Sequence, residues 1–236
     1  GFSSSAGIPS CMEPAGTAVK KCRECKNKGE KETMDIYLIR HGETDWNKEK
    51  KLQGVTDIPL NAYGIELAEK TAEGLKDVPF DRIYTSPLIR AKKTAEIIRG
   101  NRPIDLVVKE ELKEISFGDY EGHHYKPETY DIPVPGFRKF FEDPAHYETA
   151  PNGESISHMR ERTSSFVRQL IDDPANEQMT FLLSSHGSAI RGILSGLLKL
   201  PIEDFWGGPV HKNCGVTLLH AEHGQFKIVF ENRIYY

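Results

Sequence analysis

Two histidines of the chain each follow a short apolar run and precede a glycine. His41 comes after residues 36–39 and Arg40, and His186 comes after residues 181–185. If both runs are buried parallel strands, each places an imidazole at the carboxyl end of a sheet, where open α/β sheets bind ligands. The following glycines let the backbone approach a ligand and expose amide groups. Two imidazoles beside a guanidinium predict a phosphate pocket.

A second arginine joins this pattern from a third strand end. Residues 82–85 resemble a strand, and Ser86-Pro87 predicts the N-cap and first-turn proline of a helix, which places Arg90 in its first turn. A phosphate monoester dianion needs donors that converge on several oxygens, and guanidinium groups supply them in a fixed fork. Arg40 and Arg90 suit that task together, although either alone would more often be a solvated surface residue.

The elements that must position these residues alternate between strand-like and helix-like patterns from about Met34 onward. Such alternation is typical of an α/β sheet with covering helices. Strands are predicted at 36–39, 82–85, 104–108 and 181–185, with a terminal hairpin at 215–219 and 226–230. Helices are predicted from the Asn61 cap to about Leu75, after Ser86, from Glu154 to about Ile171, and after His186.

A loop-rich section covers residues 114–152 and contains five prolines among several aromatic residues. Such long excursions are more often functional than decorative, and we expect the part from Glu121 to Asn152 to select the substrate. The other interpretation is a small subdomain packed by Phe137, Phe140, Phe141 and Tyr147. Both interpretations can hold at once.

Composition indicates one fairly large domain and excludes several partners. The chain has 236 residues, 38% of them hydrophobic, and 31 basic against 35 acidic residues give a net charge of −4. This balance predicts no general attraction to nucleic acid or to an anionic membrane. No apolar stretch approaches the ~20 residues that span a bilayer, and the amino terminus lacks a signal-peptide pattern. We therefore expect a cytoplasmic protein.

Residues 1–33 are rich in Gly, Ser, Lys and Glu and have almost no apolar periodicity. This composition predicts a flexible tail whose first residues are an expression remnant. The domain is then expected over residues 34–236. The four cysteines, at 11, 22, 25 and 214, do not form a disulfide framework. Cys22 and Cys25 have the spacing of half a zinc ribbon, but no second pair follows. A disordered tail is the preferred interpretation, and Cys214 is expected to be buried.

Taken together, these motifs resemble those of a known protein family. The segment from Leu38 to Thr44, Leu-Ile-Arg-His-Gly-Glu-Thr, is similar to the signature of the histidine phosphatase superfamily, also called phosphoglycerate mutase-like. The resemblance covers roughly Met34 to the carboxyl terminus. Its other segments, in family order, are Trp46-Asn47, Leu52-Gln53-Gly54, Pro59-Leu60-Asn61 with Gly64, Thr85-Ser86-Pro87-Leu88 with Arg90-Ala91 and Thr94-Ala95, Leu112-Lys113-Glu114, Phe117-Gly118, Glu121-Gly122, Asn152-Gly153-Glu154-Ser155 and Ser185-His186-Gly187.

The resemblance implies a three-layer α/β sandwich whose mostly parallel central sheet is flanked by helices. It implies attack by His41 on phosphorus, a phosphohistidine that water hydrolyses, and Glu114 as acid and then base. It implies that Arg40, Arg90 and His186 bind the phosphoryl oxygens. It implies that the reaction needs no metal or cofactor. Candidates for further substrate contacts are Asn47, Gln53, Gly54 and Gly187. Glu43 and Glu121 are weaker alternatives for the acid.

The function expected is hydrolysis of small phosphate monoesters, with a small phosphorylated metabolite as the substrate. The alternative is a cofactor-dependent phosphoglycerate mutase, which returns the phosphoryl group to an acceptor. Mutases carry Glu-Arg-His-Tyr-Gly in the acid loop, whereas this chain has Glu-Ile-Ser-Phe-Gly over residues 114–118, closer to the phosphatase branch. The precise substrate stays open among sugar phosphates, phosphoglycerates, nucleotide-loop phosphates and phosphoserine. Whether the protein forms a homodimer stays open too.

Three further classes have weaker support. A phospholigand-binding scaffold without turnover is open, but every position of the expected constellation is filled. Metal-dependent hydrolysis through His41 and His186 lacks a compact His-Glu spacing. A nucleoside-triphosphate enzyme is disfavoured because no Gly-rich loop ends in Gly-Lys-Ser or Gly-Lys-Thr.

Overall fold

The computed structural model describes Gly1 and residues 33–236. The chain divides into two units, Gly1–Lys31 and Glu32–Tyr236, and every element given below lies in the second. The predicted flexible tail and the Cys22 and Cys25 pair lie outside the described residues.

A six-stranded mixed sheet forms the centre of the second unit, in the order β3-β2-β4-β1-β5-β6. Its strands are β1 Met34–Arg40, β2 Arg82–Thr85, β3 Asp105–Val108, β4 Thr180–Ser185, β5 Val216–Glu222 and β6 Gln225–Arg233. The first four strands in the sheet order are parallel to one another. Strand β5 runs antiparallel to β1 and forms a hairpin with β6. The predictions of a mostly parallel sheet and of a terminal hairpin are confirmed.

Helices cover both faces of this sheet. Their bounds are α1 Asp45–Lys48, α2 Ala62–Gly74, α3 Ile89–Arg99, α4 Lys139–Glu142, α5 Ile156–Asp172 and α6 Gly187–Leu197. Successive residues of a strand face opposite sides, so in β1 Leu38 packs in the core with α5 and α6 while Ile39 packs in the core with α2 and α3. The result is the predicted three-layer sandwich. Among the described helices, none combines the length and apolar character needed to cross a membrane.

The predicted helix starts are partly right. Asn61 caps α2, its side chain accepting a hydrogen bond from the Gly64 amide at 2.8 Å. Ser86 does not cap α3, which begins at Ile89 with Leu88 in the cap position. The Ser86 hydroxyl hydrogen-bonds with the ring of His186 at 2.8 Å, which keeps it at the sheet edge. Helix α5 begins after the Ser155 cap, so Glu154 lies outside it.

Residues 114–152 form short helical turns and loops around an aromatic cluster. Phe117, Phe137 and Phe140 are buried there, with Tyr147 packed against them, and edge-to-face contacts join the rings. The expected aromatic subdomain is therefore present. It lies against helix α5 through Ile156 and Met159, members of the same cluster, so the excursion is fixed to the sandwich by apolar packing.

Replacing Phe140 by Ala tests that packing. Phe140 is fully buried, and removal of a buried phenyl ring leaves a cavity that costs about 3–5 kcal/mol of unfolding free energy. Denaturant unfolding followed by circular dichroism measures the loss. Phe141→Ala is the matched control, with a smaller loss expected because 39% of Phe141 is exposed. Equal stability of wild type and Phe140→Ala would contradict the packing described.

Candidate active site

The two motif histidines lie side by side because their strands are neighbours in the sheet. Strands β1 and β4 are parallel and in register, with Arg40 opposite Ser185, so His41 and His186 follow at the same edge. The His41 amide continues the ladder by donating to the Ser185 carbonyl at 3.0 Å. Both rings are buried, with centroids 5.1 Å apart. The structure thus brings these two predicted residues together at the carboxyl end of the parallel strands.

The His41 ring is held in one protonation state. Its Nδ1 lies 2.6 Å from the Gly42 carbonyl oxygen. Because a carbonyl only accepts, we assign the ring proton to Nδ1, which leaves the lone pair on Nε2. Burial, with further contributions from the positive charges of Arg90 and Arg40, holds the pKa of His41 well below its usual range. The imidazole is therefore neutral, with an unprotonated Nε2.

Arg90 lies directly against His41 Nε2. Its Nε donates to His41 Nε2 at 3.3 Å, while its two terminal nitrogens donate to the carbonyls of Thr56 at 2.9 Å and Gly54 at 2.6 Å. The side chain is fully buried, and this burial lowers the pKa of Arg90 to about 10. It stays a cation at neutral pH. Gly54 is needed here, since a Cβ at this position would lie 2.6 Å from the carbonyl oxygen of Ile115.

Arg40 lies at the amino end of α6. Its Nη1 donates to the His211 carbonyl at 2.6 Å, whereas its buried Nε has no acceptor among the described residues. Gly187 is next to this guanidinium, since a Cβ there would lie 3.6 Å from Arg40 Nε. A cation beside the positive end of a helix creates a local positive potential that favours an anion.

His186 is held by Ser86. Its Nε2 lies 2.8 Å from the Ser86 hydroxyl, which also accepts from the Leu88 amide. The hydroxyl proton is thus available to Nε2, and we assign the ring proton to Nδ1. His186 Nδ1 has no partner within the described part of the chain. Burial, aided by Arg90 and His41, holds the pKa of His186 well below its usual range, so this ring is neutral too.

The carboxyl group of Glu114 is buried at the amino end of α6. Its oxygens accept from the amides of Ile115 at 3.0 Å, Ser188 at 3.1 Å and Ala189 at 2.9 Å. Burial raises the pKa of Glu114, and these amides together with Arg90 and Arg40 offset part of the increase. The carboxyl group therefore keeps its proton to a higher pH than an ordinary glutamate does.

Arg162 fixes the loop that carries Glu114. Its two terminal nitrogens donate to the carbonyls of Glu111 at 3.0 Å, Lys113 at 2.9 Å and Glu114 at 3.1 Å. The same guanidinium binds both carboxylate oxygens of Glu154 at 2.7 Å. Such a bidentate pair limits rotation of the guanidinium. Glu154, which the sequence placed at the start of α5, therefore helps to position the acid loop.

Asn47 and Gln53 form a polar network beside His41. Gln53 Oε1 accepts from Asn47 Nδ2 at 3.0 Å and from Thr44 Oγ1 at 2.9 Å. Gln53 Nε2 is buried and has no acceptor among the described residues. Asn213 joins the network, its Nδ2 lying 3.1 Å from both Asn47 Oδ1 and the His41 carbonyl oxygen. One free donor, on Gln53, remains after these bonds are made.

The two alternative acids are occupied elsewhere. Glu121 accepts from the amides of Val55 at 2.9 Å, Thr56 at 2.7 Å and Phe117 at 3.1 Å, so it connects the Gly54 loop to the acid loop. Glu43 accepts from the Asn61 side chain at 3.0 Å. Both contacts are structural, and Glu114 is the candidate whose carboxyl lies within the electrostatic reach of Arg40 and Arg90.

Three residues of the site were not predicted. Ser86 belongs to the Thr-Ser-Pro segment, but its position before a proline indicated a helix cap. Asn213 precedes Cys214, which is buried as expected, and no spacing connected it to His41. Arg162 binds mainly carbonyls, which every residue has, so its partners leave no pattern in the sequence.

A cavity of about 110 Å³ opens beside these side chains. Its polar lining comes from Arg40, Asn47, Lys51, Gln53, Glu114 and Ser188. A larger cavity, of about 680 Å³, is lined by Glu114, Glu154 and Arg162 but not by Arg40, and His41 is in neither lining. The smaller one is the candidate substrate site, because it reaches Arg40 and Glu114 together. In the described residues, no three His, Cys, Asp or Glu side chains converge as metal ligands.

The fold is an α/β sandwich in which one sheet edge carries two neutral imidazoles, two guanidinium groups and a buried carboxyl group. The two guanidinium groups give this edge a positive potential that would favour an anion. The family model of the histidine phosphatase superfamily (branch 1) matches residues 36–234. The chain belongs to this superfamily, whose members include phosphatases and phosphoglycerate mutases.

Individual relatives come from both groups. The uncharacterized phosphatase PhoE of Bacillus subtilis is 38% identical over 160 residues, covering 68% of this chain and 75% of PhoE. The probable phosphoglycerate mutase GpmB of Cronobacter sakazakii is 33% identical over 168 residues, covering 71% of this chain and 76% of GpmB. The solved structure of Bacillus stearothermophilus YhfR superposes with a TM-score of 0.78 at 32% identity, covering 85% of this chain and 98% of YhfR.

The buried neutral histidines predict a loss of stability in mild acid. Burial lowers the pKa of His211 to about 3, while the unfolded ring titrates near 6.5. As pH falls below about 6.5, the unfolded chain binds a proton that the folded protein excludes, so stability decreases by up to about 1.4 kcal/mol per pH unit for each such ring. His41 and His186 act in the same direction. Denaturant unfolding between pH 7 and pH 5 measures this slope.

The His211→Asn variant should lose one ring's share of the slope, because Asn does not titrate here. His223→Asn is the control, since His223 is exposed and Asn tolerates its left-handed backbone (φ 49°), and it should keep the wild-type slope. A His211→Asn slope equal to that of wild type would contradict the prediction.

Proposed function

We propose that this protein hydrolyses small phosphate monoesters through a phosphohistidine formed on His41, without a metal or cofactor. The observation that carries the proposal is the neutral His41 ring, whose Nε2 lone pair faces the buried Arg90 cation at 3.3 Å. A guanidinium beside the nucleophile can attract the phosphate dianion and stabilise the charge that develops as the neutral imidazole attacks.

In the first step, the Nε2 lone pair of His41 attacks phosphorus and the ester P–O bond breaks. The bonding electrons leave with the alcohol oxygen, which takes the proton of the Glu114 carboxyl group. The hydrogen bond from His41 Nδ1 to the Gly42 carbonyl, 2.6 Å long, stabilises the positive charge that develops on the ring. The raised pKa of Glu114 favours the acid form that this step requires.

In the second step, water attacks the phosphohistidine and the P–N bond breaks. The Glu114 carboxylate takes the proton from that water, the electrons of the P–N bond return to His41 Nε2, and inorganic phosphate is released. Both residues are then in their starting states. One carboxyl group serves as acid and base in turn because its two roles alternate in time.

Donors without protein acceptors support phosphate binding. They are Arg40 Nε, Gln53 Nε2 and, in the tautomer assigned above, His186 Nδ1. A buried donor left unpaired costs on the order of 1–3 kcal/mol, and a phosphoryl oxygen would remove that cost. Arg90 adds its charge next to the nucleophile. In this proposal Asn47 and Gly54 position Gln53 and Arg90, and Gly187 provides room beside Arg40.

Mutase activity is the second candidate, favoured by the similarity to GpmB. It would use the same first step and then return the phosphoryl group to an alcohol instead of water. The acid loop, Glu114 to Gly118, differs from the mutase pattern and favours hydrolysis. A panel of phosphate esters, with and without 2,3-bisphosphoglycerate, separates the two: free phosphate without isomerised product supports hydrolysis, and isomerisation without phosphate release supports the mutase.

Covalent trapping tests the nucleophile. Acid-free quenching with a radiolabelled phosphate ester should leave label on His41, located by peptide mapping. The His41→Ala variant should lose the label and reduce kcat/KM by on the order of 10³-fold or more. The exposed His146→Ala variant should keep both. Normal turnover by His41→Ala, or label at another residue, would overturn the proposal.

Glu114→Gln tests the acid through the leaving group. An alkyl alcohol leaves poorly without a proton, so the burst rate with an alkyl phosphate should fall by about 10²–10⁴-fold. A nitrophenolate leaves without help, so its burst rate should change much less. Glu111→Gln, a carboxylate of the preceding turn, should behave as wild type with both esters. Equal losses with both esters would exclude general-acid catalysis by Glu114.

A further inference from the structure

The residues proposed to act on the phosphoryl group from the strand ends and helix α3 are Arg40, His41, Arg90 and His186, which we call the phosphate cluster. Beyond it, the candidate substrate cavity has an apolar side. Its lining there comes from Leu52, Tyr125, Phe140, Phe141, Trp206 and Val210. We call these six residues the apolar wall. Phe141 is 39% exposed and Val210 is 52% exposed, so the mouth of the cavity presents apolar surface to solvent. Grouped apolar surface of this kind, next to a polar cluster, is typical of a binding site.

The rings of the apolar wall hold one another in place. Phe141 stacks on Trp206 at 27° with centroids 5.9 Å apart, and contacts Phe140 edge-to-face at 4.9 Å. Tyr125 packs against Phe141 at 5.5 Å. The Trp206 indole N–H donates to the Phe140 carbonyl at 2.6 Å, so its polar atom is already bonded within the protein. What the wall offers to a ligand is therefore fixed apolar surface.

Charge in the same cavity is unsuited to a second anionic group. The lining has two cations, Arg40 and Lys51. Arg40 belongs to the phosphate cluster, and Lys51 Nζ lies 2.6 Å from the carboxylate of Glu49. A carboxylate on the alcohol part of a substrate would meet the apolar wall, an already paired lysine and the carboxyl group of Glu114. A neutral alcohol part meets none of these penalties.

We propose that this site selects phosphate monoesters whose alcohol part is neutral and apolar or aromatic. The part of this inference that is tested by turnover rests on the proposed hydrolysis. The selection itself is a property of binding. Neutral apolar groups lose water on entering the cavity and contact the wall, so affinity should rise with the apolar area that they bury.

A homologous series of n-alkyl phosphates, from ethyl to hexyl, measures the selection in turnover. The alcohol leaving groups of this series are chemically alike, so differences in kcat/KM report contact with the wall. Each methylene that reaches the wall should raise kcat/KM by about fourfold. Benzyl phosphate should exceed ethyl phosphate, and 3-phosphoglycerate and phosphoserine should fall below the hexyl ester.

The matching n-alkyl phosphonates, whose P–C bond is not hydrolysed, measure the same selection by calorimetry without turnover. Their affinity should rise with chain length. If no ester is hydrolysed, the proposed function fails while the phosphonate series still decides the inference. A flat phosphonate series would overturn the inference and leave hydrolysis standing.

Two substitutions locate the selection on the wall. Val210→Ser and Phe141→Ala should each reduce the hexyl-to-ethyl ratio of kcat/KM by at least about fourfold, since each removes apolar contact. Val210 is exposed, so its variant should fold normally even if Phe141→Ala does not. Val229→Ser, on β6 and 50% exposed, is the matched control and should keep the wild-type ratio. A preference for 3-phosphoglycerate that Lys51→Met abolishes would also overturn the inference.

Discussion

The parallel pairing of β1 with β4 is the constraint on which the rest of the site depends. Arg40 lies opposite Ser185, and the ladder continues one residue further through the His41 amide. The register therefore fixes where both rings emerge, and a slip of either strand by one residue would turn that strand's side chains to the other face. The apolar residues of β1 and β4 oppose such a slip because they fill cores on both sides of the sheet. The stability of the sandwich and the placement of His41 thus have one cause.

Burial of charged groups at this edge of the sheet explains why the side chains of the site differ in protonation state. Arg90 and Arg40 remain cations, which favours neutral rings at His41 and His186. The amino end of α6 would attract an anion, but the Glu114 carboxyl group already occupies its first amides. Since desolvation outweighs those hydrogen bonds for Glu114, the site contains a neutral imidazole, fixed cations and a carboxyl group whose pKa is raised. This combination is what phosphoryl transfer to nitrogen requires.

Much of this arrangement could be predicted from sequence, because the strands are short apolar runs and polar residues follow them directly. That pattern gave the sheet, the three layers and the proximity of His41 to His186. The bonds of Arg162 to three backbone carbonyls could not be predicted, since carbonyls carry no residue identity. Ser86 was assigned to a cap because local rules do not include a long-range bond to His186. Sequence patterns describe neighbours along the chain, and these contacts cross up to 100 residues.

The phosphate cluster and the apolar wall come from different parts of the fold, and this has a consequence for substrate choice. The cluster depends on strand ends and on the first turns of α3 and α6, which the core of the sandwich fixes. The wall draws Tyr125, Phe140 and Phe141 from the 114–152 excursion, which packs on α5 without joining the sheet. Substitutions in the excursion can change the wall while the register of β1 and β4 stays the same. Apart from Glu114, which begins the excursion, the residues proposed for the chemistry and those proposed for the choice of alcohol therefore lie in separable parts of this fold.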